Sequence, residues 1–145
     1  MIDSFSPSIS FDRHAIQSML LHALTEGKNT MGLLGGHDGC LNTLEQCSPQ
    51  CSNFTLPHER VLQIVAGWRS EGITPQGVYF YVENEELDLS QVQAWKQKLL
   101  AIDTAFDDVI FIAVYLDKKG CLECLAYRCI EDQLMTVAIA MSEGG

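Results

Sequence analysis

Six cysteines, four histidines and nineteen acids are the side chains of this 145-residue chain that could hold a metal or move a proton. Their spacing limits what each can do. His37, Cys40, Cys47 and Cys51 fall in one region and would be soft ligands. Their separations do not form the paired knuckles of zinc modules. If 40–47 is a strand, Cys40 and Cys47 also point to opposite faces. The plainer reading is small buried thiols beside a turn histidine. Cys121 and Cys124 have redox-motif spacing, but that motif works at a helix start, where the dipole lowers a thiol pKa. Here the pair follows Asp-Lys-Lys-Gly and reads as strand. Residues three apart on a strand lie about 10 Å apart, beyond disulfide reach. His14, His22 and His58 lie on helical segments without acids or thiols at matching spacing, so surface or half-buried positions are expected.

A second stretch, GVYFYVENEELDLSQVQ at 77–93, runs from a hydrophobic strand through acids into a helix start. Such junctions often carry active sites, yet this one has no His, no Cys and only Ser90 as a hydroxyl. A serine without a neighbouring base is not a nucleophile, and Ser90 reads as a helix cap. Glu83, Glu85, Glu86 and Asp88 repel one another unless solvated or paired. Negative charge is favourable at a helix N-terminus, which accounts for them structurally. The functional alternative is an acidic rim for a basic partner.

The elements that must position these residues follow from periodicity. Residues 12–26 read as an amphipathic helix capped by Asp12 and stopped at Gly27, with Ile16, Met19, Leu20, Ala23 and Leu24 on one face. TMGLLG at 30–35 is a buried strand, GHDG a turn, and 40–47 the returning strand. Pro57 opens a second helix over 57–70, with Val61, Leu62, Val65 and Trp68 inward. GVYFYV is the next strand. A third helix over about 90–103 turns Val92, Trp95, Leu99 and Ile102 to one side. DVIFIAVYL is apolar on both faces and so central. CLECLAYRCI returns antiparallel, and QLMTVAIAM is the last strand. The expected architecture is one α/β domain over 1–145, a mixed sheet flanked by about three helices.

Composition sets the outer limits. The chain is 47% hydrophobic, with 19 acids against 9 bases and a net charge of −10. That balance argues against nucleic acid and anionic membranes, whose affinity comes largely from Lys and Arg. The first residues lack a signal-peptide pattern, and the apolar runs are too short to span a bilayer as helices. A cytoplasmic protein with mostly reduced cysteines is expected.

NTMGLLGG after the first helix, GITPQGVYFYV after the second and a closing antiparallel pair ending LECLAYR together resemble the JAMM/MPN metalloprotease domain, over nearly the whole chain. The resemblance implies an MPN-like layout, related to that of cytidine deaminases. It also implies a zinc site of two His and an Asp, a general-base Glu and an assisting Ser. Gly32, Leu33, Leu34 and Gly35 fall on the family's glycine-leucine strand. Asn29 stands at the Glu position, Phe80 and Val82 at the two His, Ser90 at the Ser and Gln93 at the Asp. Only Ser90 is retained. Phe80 and Val82 have no lone pairs for zinc, and Asn29 takes no proton. The implied function is a non-catalytic protein-binding or scaffold domain with no metal and no cofactor. Its expected surface is Phe80, Val82, Glu83, Glu85, Glu86 and Asp88, and its expected partner a basic or ubiquitin-like protein. The alternative is a metal-dependent peptidase or isopeptidase with displaced ligands, drawn from the His37–Cys51 region.

Overall fold

The computed structural model describes residues 8–27, 30–37, 40–47, 58–83 and 89–142. A strand, β1 (Ser8–Asp12), turns Ile9 and Phe11 inward by the period-two alternation of extended chain. Asp12 ends it and begins α1 (Arg13–Glu26), its Oδ2 accepting the Ala15 N–H at 3.2 Å. Gly27, with φ of 57°, returns its N–H to the Ala23 carbonyl and stops the helix. An antiparallel hairpin follows, β2 (Met31–His37) with β3 (Cys40–Gln46). Then come α2 (His58–Ser70), β4 (Thr74–Tyr81), α3 (Leu89–Ile102), a 3-10 turn (Thr104–Asp108), β5 (Ile110–Leu116), β6 (Leu122–Ile130) and β7 (Gln133–Ser142).

Among the described residues these seven strands close into a barrel in the order β1-β3-β2-β4-β5-β6-β7. β4 and β5 are parallel, and α3 supplies the crossover that parallel neighbours need. β6 pairs antiparallel with β5 on one side and β7 on the other. The ring closes through β1, which runs parallel to β7 from Ser8↔Ala138 to Asp12↔Ser142 and parallel to β3 at Ser10↔Cys40 and Phe11↔Leu41.

This corrects the expected open sheet flanked by helices in an MPN layout. The decisive element is β1. SISFD is only five residues long, and its two partners are distant in sequence, so local pattern does not reveal that it completes a ring.

Two cores result. Alternate residues of β2, β4 and β5 (Leu33, Val78, Phe80, Phe111 and Ala113) pack beneath α2 and α3 against Val61, Trp68, Trp95 and Leu99. Their neighbours Leu34, Tyr79, Ile110, Ile112 and Val114 pack with Ile9, Phe11, Val137 and the α1 residues Ile16, Met19 and Ala23. That is why β5 is apolar on both faces. Gly32 lies opposite Tyr79, and a Cβ there would lie 2.3 Å from the tyrosine ring, so the glycine makes room for it.

Two helix faces differ from expectation. Leu24 is exposed, while His22 turns inward and its Nδ1 lies 2.7 Å from the Tyr79 hydroxyl. Leu62 is exposed, and Ile64 is buried in α2. No helix among the described residues is long and apolar enough to cross a membrane.

Candidate functional site

The positions singled out at 77–93 do not share one cleft. Phe80 and Val82 are 3% and 6% exposed. Both belong to the core beneath α3, where the Phe80 ring meets Trp95 edge-on with centroids 4.8 Å apart, and Trp95 stacks on Phe111 at 6.5 Å. The apolar face they share is therefore covered by the protein's own helix, and neither side chain is open to a partner. Ser90 is not the cap of α3 but its second residue, exposed in the first turn. Gln93 donates from Nε2 to Asp132 Oδ1 at 2.7 Å, tying α3 to the β6–β7 turn. Asn29, Glu85, Glu86 and Asp88 lie outside the described residues, as does Cys51.

His37 and Cys40 face each other across the β2–β3 hairpin, and Cys47 follows the far end of β3, roughly 20 Å away by strand rise. No three His, Cys, Asp or Glu side chains among the described residues are grouped as a metal would need. Cys124 lies within β6, and burial raises its thiol pKa, the opposite of what a reactive cysteine requires.

Glu83 leads to a different site. It is exposed at the rim of a groove of about 480 Å³ lined by Ala23, Leu24, Gly27, Tyr81, Leu116 and Leu122. Three elements build it. The end of α1 contributes Leu24, which is 70% exposed. The end of β4 contributes Tyr81, whose N–H is held by the Thr30 carbonyl. The β5–β6 hairpin contributes Leu116 and Leu122, paired across the ladder. The hairpin's turn is fixed by Asp117, whose Oδ1 accepts the N–H groups of Lys119 and Cys121 at 2.8 and 2.9 Å.

The electrostatics of this groove follow from α1. Its C-terminal end carries the negative pole of the helix dipole, usually answered by Lys, Arg or His in the last turn. α1 has no basic residue there and ends on Glu26. Together with Glu83, the groove presents apolar walls beside a helix end whose last turn carries no base. Besides Glu83, Leu24 carries the sequence signal for it: a leucine assigned to a buried helix face that the barrel leaves outside.

Fold and groove together define a small mixed barrel with three helices among its described residues and an apolar, acid-rimmed surface site. A solution structure of a Desulfitobacterium hafniense protein is similar, with a TM-score of 0.70 and 19% identity over 93% of each chain. A solution structure of a Salinibacter ruber protein is similar with a TM-score of 0.62 and 14% identity, over 93% of this chain and 92% of the other. At these identities the likeness is one of fold. No family model matches this chain, and no curated protein matches it.

Proposed function

We propose that this chain is a non-catalytic protein-binding domain, and that its binding site is the groove between the end of α1, the end of β4 and the β5–β6 hairpin. The carrying observation is the pairing of exposed Leu24 and Leu116 with Glu83 and a last turn of α1 that carries no base. Apolar contact surface beside negative charge suits a partner segment with an apolar side chain flanked by Lys or Arg. The function proposed is the one that the resemblance to ligand-less MPN domains implies. It does not need their layout, which the barrel replaces, and it moves the contact surface from buried Phe80 and Val82 to the neighbouring groove.

The test is affinity capture from the native organism with the intact chain, a Leu24→Ser and Leu116→Ser double variant, and Leu62→Ser as an exposed control on α2. The double variant should lose captured partner about tenfold or more, the equivalent of roughly 1.4 kcal/mol. The control should retain it. A partner captured equally by the double variant and the intact chain would sink the proposal.

A further inference from the structure

A second groove, at the opposite end of α1, exposes a different kind of recognition element. It measures about 720 Å³ and runs between the start of α1, from Asp12 to Ser18, and Asn42, Leu44, Glu45 and Gln46 of β3, with Arg60 at its end. β3 is paired with β2 from Cys40 to Gln46 except at Asn42, where the register shifts, but on its other edge it meets β1 only at Cys40 and Leu41. There Asp12 caps α1 and the chain leaves the sheet. From Asn42 onward the outer edge of β3 has no partner strand among the described residues.

The ladder fixes which groups point outward. The Cys47 N–H bonds the Met31 carbonyl at 2.8 Å. In antiparallel pairing this makes every second residue back along β3 bond to β2, namely Glu45 and Thr43. Leu44 and Gln46 therefore direct their N–H and C=O groups away from β2 and into the groove. The Arg60 guanidinium confirms the direction, since its Nη2 reaches the Gln46 carbonyl at 3.4 Å and stands where a strand's N–H would.

The occupant follows from chemistry. A row of alternating donors and acceptors at strand spacing complements another extended backbone and little else. Little free charge faces the groove: Arg60 lies 3.6 Å from Glu45, and Asp12 is buried as the cap of α1. With Glu45 paired and Asp12 buried, the groove complements an uncharged segment rather than a basic one, unlike the groove at the other end of α1. We infer that the outer edge of β3 takes up an extended, uncharged peptide strand from a partner protein by β-addition, bonding to Leu44 and Gln46 and displacing Arg60 from the Gln46 carbonyl.

The probe is a blocked peptide, N-acetyl-Thr-Val-Thr-Val-Thr-amide, compared with the same peptide N-methylated at alternate residues so that it cannot pair. Amide exchange and ¹H–¹⁵N shifts are followed on the intact chain. The plain peptide should slow exchange at Leu44 and Gln46 at least tenfold at saturation, and the N-methylated one should not. Gln46→Pro removes an outward N–H that β2 does not use, so it should abolish binding while the β2–β3 ladder persists. Unchanged Leu44 and Gln46 amides at millimolar peptide would overturn the inference. So would equal binding of the N-methylated peptide, or undiminished binding to a folded Gln46→Pro chain. If that variant does not fold, the comparison of the two peptides decides alone.

Discussion

His22 and Tyr79 show how one side-chain contact sets a pH response. Burial pulls the His22 pKa below its ordinary value, with Glu26 opposing in part, and burial raises that of Tyr79. A histidine with a depressed pKa binds fewer protons folded than unfolded, so acidification favours the unfolded chain. Its contribution is intact above the unfolded value near 6.5 and falls away as the pH drops toward the folded one. Urea unfolding at pH 7.5 and pH 5 should therefore show a loss of stability that His22→Gln flattens. Tyr79→Phe removes the hydroxyl facing His22 Nδ1, and a buried polar group deprived of its partner costs about 1–3 kcal/mol. The same unfolding assay measures it, and a neutral outcome would show that the contact carries no weight. The contact with Tyr79 is not legible in the sequence, where helical spacing offers His22 only Glu26. Tyr79 is fifty-seven residues away and reaches it only because β4 and α1 share one core.

At the scale of elements, periodicity located the pieces well and their junctions poorly. α1, α3 and β5 lie close to where apolar spacing puts them, because each buries a regular face. Leu24 and Leu62 went astray because a helix on a curved sheet buries a narrower stripe than its apolar residues suggest. The candidate site was legible only at Glu83 and Leu24, since Leu116 and Leu122 are joined by a hairpin that spacing does not orient. Two junctions can be tested. Asp103 accepts from Arg69 Nε at 2.8 Å and from the Ala105 N–H at 2.8 Å, joining α2 to the 3-10 turn. The bond from Arg69 holds its carboxyl below the ordinary value. That contribution is present at neutral pH and is lost as the pH falls below about 4 through the depressed folded value. Asp103→Asn should flatten the acid limb of the stability profile, and Asp103→Ala should cost about 1 kcal/mol through the lost cap. The β6–β7 loop has Glu131 and Asp132 at φ of 49° and 66°, the left-handed region that a two-residue hairpin loop requires. Glutamate is a poor fit there. Glu131→Asn should raise stability by about 1 kcal/mol in thermal or urea unfolding.

For the whole molecule, a net charge of −10 sets how partners arrive. Replacing Glu83, Glu85 and Glu86 together by Gln should slow association with a captured partner at low salt and make little difference at 1 M, where screening is nearly complete. The domain itself should stay folded: Glu83 is exposed, and an exposed charge contributes little to stability. An association rate unchanged at low salt would mean that these acids only solvate a helix entry. The ring closure through β1 and β7 has a further consequence, in time rather than in energy. Ser8 and Ala138 are paired, so a strand made early waits for one made late. At about 5–20 residues per second on a ribosome that wait lasts roughly six to twenty-six seconds. Throughout it β1 lacks its longest ladder, and the nascent barrel has a gap where β7 will lie. Closure of so distant a pair is expected late on the folding path, after the β4–β5–β6 sheet has formed. Phe11→Ala, which empties a fully buried site, should then lower stability by about 3–5 kcal/mol almost entirely by speeding unfolding, with the refolding rate barely changed. A chevron in which the refolding arm falls instead would place the ring's last strand among its first.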